Sequence, residues 1–189
     1  MIPDHNLSGV LPPFFGVSPT DRSEVSPYLA TISEFAQRFS YSAERLTLLA
    51  GFLEYRAELR KNGIVNGMQW VDGSFLEKTE ESDSRPPGDI DIVTVAHRPD
   101  FATGTEEWKK YLMDRSELFR TQFTKPRYHC DAYFVDLDIQ PELLIRNASY
   151  WYGLFSHRRI TFLWKGIVEI PLVSDDEEAV KALQEAMNA

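Results

Sequence analysis

"GDIDIVTV", residues 88–95, sets two aspartates inside a run that otherwise reads as a strand buried on both faces. Ile90, Ile92, Val93 and Val95 suit a central strand, and Asp89 and Asp91 do not. A carboxylate buried there costs several kcal/mol unless it is paired or coordinates a metal. Residues i and i+2 of a strand share a face, so the two carboxylates leave it together, about 6.6 Å apart along its axis. That separation suits a pair of divalent ions about 3.5–4 Å apart, as in two-metal phosphoryl-transfer sites. Magnesium takes such oxygen ligands and shares them with substrate phosphates.

A third carboxylate completes a site of this kind. Asp131 is the best candidate, because it interrupts the apolar strand Cys130–Val135 in the same way. Asp136 and Asp138 are weaker, since Asp136 points to the opposite face and Asp138 lies at or beyond the strand end. The plainer alternative is that Asp89 closes the loop after Pro86-Pro87-Gly88, leaving one half-buried Asp91 paired with an arginine. A calcium loop does not fit, for the glycine at its sixth position and the distal glutamate are both missing.

Gly73-Ser74 shifts the balance. It follows a hydrophobic strand and precedes the two carboxylates. Glycine lets a phosphate approach the backbone, and the serine hydroxyl with nearby N–H groups can hold phosphate oxygens.

Composition narrows the classes. The 189 residues are 43% hydrophobic and 13% aromatic, which excludes a disordered chain and predicts one well-cored domain. A net charge of −9 repels nucleic acid and anionic membrane, so general duplex DNA binding is not expected. A polyanionic substrate has to be met by a local basic patch or by metal ions. The single Cys130 allows no internal disulfide, the start MIPDHNLSGVLPPFF lacks the pattern of a leader, and no long apolar run occurs. A reducing cytoplasm is expected, with no membrane segment.

The remaining elements fall around the motifs. Residues 1–25 read as an irregular arm and 26–189 as one domain. A first helix is expected from Ser26-Pro27 with Leu29, Ile32, Phe35, Ala36 and Phe39 inward. A second starts near Ser42, with Leu46, Leu49, Ala50, Leu53 and Ala57 inward and Gly63 as its stop. Strands are expected at 67–72 and 89–96, separated by a polar loop over 77–88. Thr103 and Glu106 predict a capping box for a helix over 105–120. A strand is expected over 127–137 and an aromatic, mostly helical segment over 141–156. Two short strands broken at Lys165-Gly166 come next, then a last helix capped by Ser174 and Glu177. This order predicts an α+β fold, a mixed β-sheet flanked by helices.

A strand, Gly-Ser, a spacer, Asp-hydrophobic-Asp on a second strand and one Asp on a third resembles the DNA polymerase β-like nucleotidyltransferase superfamily. The fuller run is Glu34-Phe35, Phe39, Arg45, Trp70 to Phe75, Pro87 to Asp91, Asp131 to Val135 and Lys165-Gly166-Ile167. It looks like an uncharacterised family of small bacterial nucleotidyltransferase-like proteins, from about residue 28 to 172. The resemblance implies that Gly73 and Ser74 hold nucleotide phosphates and that Asp89, Asp91 and Asp131 hold two Mg²⁺ ions, or Mn²⁺. One departure is the long acidic spacer with Glu77, Glu80, Glu81 and Asp83, which either draws Ser74 away from the carboxylates or bulges into solvent.

The expected activity is transfer of an NMP group from an NTP to an acceptor hydroxyl on a protein, an RNA, a small molecule or a nucleotide. Small proteins of that superfamily are implicated in toxin–antitoxin and phage-defence systems. Lys78, Arg85 and Lys165 are candidate phosphate contacts. Arg158 and Arg159, beside His157, either grip a substrate or protect a strand edge. Tyr150, Trp151, Tyr152 and Phe155 either stack a base or pack as core, and the 141–156 segment is where a partner protein is expected to dock. His129 and Cys130 lack ligands at zinc spacing and read as packing residues. The competing class is a non-catalytic nucleotide- or partner-binding module on the same fold, such as an antitoxin.

Overall fold

The alternation in residues 88–95 becomes the third strand of a five-stranded mixed sheet. The structure is a computed structural model that describes residues 1–18, 20–82 and 84–188. Pro19 of the arm, Asp83 of the spacer and the terminal Ala189 lie outside them. The strands are β1 (Tyr28–Leu29), β2 (Gly67–Asp72), β3 (Ile90–Ala96), β4 (Cys130–Asp136) and β5 (Val168–Pro171), in the order β1-β5-β2-β3-β4. β2 runs antiparallel to β3 and β5, whereas β1 pairs with β5, and β3 with β4, in parallel. The helices are α1 (Ile32–Phe39), α2 (Ala43–Lys61), α3 (Thr79–Ser82), α4 (Thr105–Asp114), α5 (Ser116–Phe119), α6 (Thr121–Tyr128), α7 (Pro141–Phe155) and α8 (Asp176–Met187). This is the α+β architecture that the pattern of elements predicts.

The two faces of β3 are buried for different reasons. Ile90, Ile92 and Ala96 join the large core with Phe35 of α1, Phe52 of α2, Trp108 of α4 and Leu183 of α8. Val93 and Val95 face the other way and pack, with Val135 and Ile167, against Trp151, Tyr152 and Phe155 of α7. Asp91 shares that second face, but at the β3 end where α7 stops. The gap left there is a cleft.

Several local expectations change in three dimensions. The Ser26-Pro27 helix start is displaced, because Ser26 Oγ accepts the Ile167 N–H at 2.7 Å and Tyr28–Leu29 pair with β5. α1 therefore begins after Thr31, whose hydroxyl accepts the Glu34 N–H, and Leu29 is left exposed. α2 starts after Ser42 as expected, but it is buried over more than the expected stripe. Phe52, Tyr55 and Leu59 are inside and Ala57 is outside. Gly51 lets α2 meet α6, where a Cβ would stand 2.2 Å from the Tyr128 carbonyl oxygen.

The capping box does not form: Gly104 precedes α4, Glu106 pairs with Lys109, and the helix breaks at Arg115. Arg127 and Tyr128 belong to α6, closed by left-handed His129, so β4 begins only at Cys130. Residues 160–165 form a loop held by the isolated His157–Trp164 bridge rather than a strand. Asp175 takes the cap position of α8, and Ser174 Oγ instead accepts the Ile32 N–H at 3.1 Å.

Buried Arg56 fastens the layers. Its guanidinium donates to both carboxylate oxygens of Asp176, to Gln69 Oε1 and to the carbonyls of Pro171 and Leu172. One side chain thus joins α2, β2, the end of β5 and α8. Among the described residues no helix is long and apolar enough to cross a membrane.

Candidate functional site

Strand register collects the acids. Asp91 is the partner of Asp72 across β2–β3 and of Asp131 across β3–β4. Laterally paired residues project to the same side of a sheet, so the three carboxylates stand in a row, with Asp89 two residues before Asp91. All four line a cleft of about 910 Å³, together with Gly73, Ser74, Arg85, Lys125 and Lys165. Its far wall comes from the end of α7 and the 157–162 loop.

Gly73 is fixed by Asp91. Its φ is +88°, and a Cβ would sit 2.0 Å from Asp91 Oδ2. No side chain fits between the Gly73 backbone and that carboxylate, so the glycine expected to admit a phosphate first of all admits Asp91. It leads into a 3₁₀ turn, Ser74–Leu76, which leaves Ser74 on the cleft wall.

The acidic spacer does not remove Ser74: its first turns are tied to the domain, while Glu81 and residues 84–86 are exposed to solvent. Arg45, buried on α2, donates to the Phe75 carbonyl at 2.6 Å, to the Glu77 carbonyl at 2.7 Å and to both carboxylate oxygens of Glu80. Glu77 is turned inward, where its carboxylate accepts from Lys165 Nζ at 2.9 Å and from Arg158 Nε at 2.7 Å. Lys165 also stands 3.0 Å from Asp72 Oδ1, as a buried ion pair.

The charges are unbalanced towards the acids. Burial pushes Asp91 up to about 6, and repulsion from Asp89 and Asp131 adds to it against the pull of Lys165 and Lys125. Burial lifts Asp72 to about 7, opposed by Lys165 and the Gly73 N–H. Burial alone would lower the Lys165 pKa, but Asp72 and Glu77 outweigh it and hold the ammonium above the usual lysine value. Lys125 of α6 enters from the side, 2.5 Å from Asp89 Oδ2 and 3.8 Å from Asp131 Oδ2.

The residues expected from sequence separate cleanly. Gly73, Ser74, Arg85, Asp89, Asp91, Asp131 and Lys165 share the cleft, and Arg158, Arg159 and His157 line it too. Lys78 does not; its ammonium pairs with Glu81 at the surface. Lys165 is in the cleft wall but buried between two carboxylates, which makes it a counterion for Asp72 and Glu77 rather than a free phosphate contact. Asp136 and Asp138 lie at the far end of β4, bound to Arg98 and to His97 and the Arg98 N–H.

Of the four aromatics in 150–155, three are packed. Trp151 lies 4.6 Å from the Tyr133 ring and 5.6 Å from Phe155, and Tyr152 packs on Trp70. Tyr150 is exposed.

Asp72, Glu77 and Lys125 are the site residues that the sequence reading missed. Asp72 had a signal, an acid directly before Gly73-Ser74 at the end of an apolar strand. Lys125 had none once α6 was read as loop and strand.

The donor set is all carboxylate oxygen, with neither Cys nor His, which suits a hard divalent cation. The raised Asp91, beside Asp89 and Asp131, fits a place that wants positive charge. Among the described residues, no three His, Cys, Asp or Glu side chains already converge as a metal cage. The carboxylates are instead arranged around Lys125, Lys165 and the Gly73 backbone.

Against known proteins, no curated protein and no solved structure matches the chain. A family model matches residues 3–171, nearly the whole of it, and the protein belongs to that family, the family of unknown function DUF6932.

Proposed function

We propose that the protein is a metal-dependent nucleotidyltransferase that moves an NMP group from an NTP to an acceptor hydroxyl. The observation that carries this reading is the lateral pairing of Asp91 with Asp131 on a cleft also lined by the Ser74 turn. Asp89, Asp91 and Asp131 would hold two divalent ions, which, when bound, neutralise phosphate charge and acidify the acceptor hydroxyl. Ser74 Oγ and the N–H groups at its turn hold the β- and γ-phosphates. Arg85 and Arg159 add charge at the cleft edge, and Glu77 keeps Arg158 and Lys165 in place. Asp131 takes the acceptor proton as the acceptor oxygen bonds to the α-phosphorus, and the bond from that phosphorus to the bridging oxygen breaks to release pyrophosphate.

One observation favours the binding-module reading instead. Leu143, Ile145, Tyr150 and Leu154 of α7 are exposed, and Leu154 lines the cleft with exposed Ile160 and Phe162, apolar surface of the kind a partner covers.

Both readings meet in one experiment: incubation with each α-labelled NTP, Mg²⁺ and cell lysate, with a search for the labelled product. Asp131→Ala is expected to suppress transfer far more than NTP affinity. Ser74→Ala is expected to weaken NTP binding about tenfold, the effect of one hydrogen bond to a charged group. NTP binding by the wild type without label in any fraction, whatever the residue at 131, hands the protein to the binding-module reading.

A further inference from the structure

We infer that Lys125 is a built-in cation of this site. It takes the place at Asp89 that a second divalent ion would need, so the protein binds one divalent ion, at the Asp91–Asp131 pair. The inference rests on the metal-dependent reading and changes its stoichiometry.

The lysine is placed by the same turn that starts β4. The Lys125 carbonyl accepts the His129 N–H at 3.0 Å, and the His129 carbonyl accepts the Ile90 N–H at 2.9 Å. Thr124 Oγ1, one residue before the lysine, donates to the Cys130 carbonyl at 2.8 Å. The backbone that carries Lys125 is therefore tied to the first residues of both β3 and β4, beside the acids they bear. From there its ammonium reaches Asp89 Oδ2 at 2.5 Å and stands 3.8 Å from Asp131 Oδ2.

The cleft's other ammonium, which is buried, is already committed. Lys165 is shared by Asp72 and Glu77 at 3.0 and 2.9 Å. Asp89 thus has a close counterion, and so has Asp72. Among the described residues Asp91 has none at that range and Asp131 only a distant one, yet the two are register partners. A divalent ion at Asp91–Asp131 meets an uncompensated pair, whereas one at Asp89 has to displace an ammonium held at hydrogen-bonding distance.

The test uses Mn²⁺ alone with the full chain, counting bound ions by loss of the free-ion paramagnetic resonance signal. Wild type and Lys125→Arg are expected to bind one Mn²⁺ per chain, and Lys125→Ala two. Asp89→Asn should keep the single ion and Asp91→Asn should lose it. The Lys125 side chain is 53% exposed, so its variants should fold, and circular dichroism confirms this first. Two ions in the wild type, or one in Lys125→Ala, overturn the inference. No binding by any variant overturns it together with the metal reading. The expected change from one ion to two, in a protein that labels no acceptor, sinks the transferase reading and leaves the role of Lys125 standing.

Discussion

Replacing Asp91 by Asn should stabilise the metal-free protein at neutral pH. The carboxyl is held at about 6 against an ordinary 3.8, first by burial and then by Asp89 and Asp131. At about 1.4 kcal/mol for each tenfold in proton affinity, ionising it in place costs about 3 kcal/mol. The sign comes from linkage, because a folded-state value above the unfolded one means that the native state binds the proton more tightly. Below pH about 4 both states are protonated and the penalty is absent. It grows as pH rises towards about 6 and is fully present above that. Asn removes the ionisable group at nearly constant volume. Urea unfolding in chelator should therefore find Asp91→Asn more stable than wild type by about 1–3 kcal/mol near pH 7.5, with the gap closing towards pH about 4.5. Mn²⁺ with NTP should raise the melting temperature of the wild type and not of the variant. A variant less stable than wild type at pH 7.5 would refute the reasoning, since Asp91 would then be one half of a structural ion pair.

The remaining predictions concern the scaffold of the site. Gly73→Ala puts a Cβ 2.0 Å from Asp91 Oδ2 at a φ of +88°. It should cost about 1–3 kcal/mol in thermal or urea unfolding and abolish Mn²⁺-linked stabilisation even if the protein folds. Arg45→Met strips a buried cation from Glu80 and from the Phe75 and Glu77 carbonyls. A loss of about 3–5 kcal/mol is expected, with faster proteolysis within 77–88, and unchanged cleavage there would show that the spacer holds itself. Arg56→Met should cost a similar 3–5 kcal/mol, roughly, by leaving Asp176 buried and short of its partner, and Asp176→Leu in the same background should recover part of it.

Legibility from sequence tracked how local the cause of each feature was. β2 and β3 were readable because short apolar runs and the two interrupting aspartates are properties of adjacent residues. α2 was readable because Ser42 and the Arg60-Lys61-Gly63 end carry their own signals. The α1 start was not, because Ser26-Pro27 looks like a helix entrance until Ile167, far along the chain, claims the Ser26 hydroxyl. The Thr103–Glu106 capping box failed for a related reason, as Gly104 lets the chain turn one residue later and Glu106 finds Lys109. α6 was hidden by Pro126 within it and by the β-rich composition of the adjoining residues 130–135.

The same division runs through the site. Asp89, Asp91 and Asp131 announce themselves because an acid in an apolar strand is locally anomalous. Their counterions do not, because a lysine or arginine on a polar stretch is locally ordinary wherever it points. Lys78 and Lys125 are alike as sequence, each on a short polar helix or turn. One reaches Glu81 three residues on and the other reaches into the acid row, a difference set by the His129 turn and the parallel β3–β4 pairing. Sequence therefore locates where this protein concentrates negative charge, and only register and helix placement show which of that charge is already answered. Asp91, flanked by Asp72 and Asp131 across the sheet and by Asp89 just before its own strand, is the point where it is not.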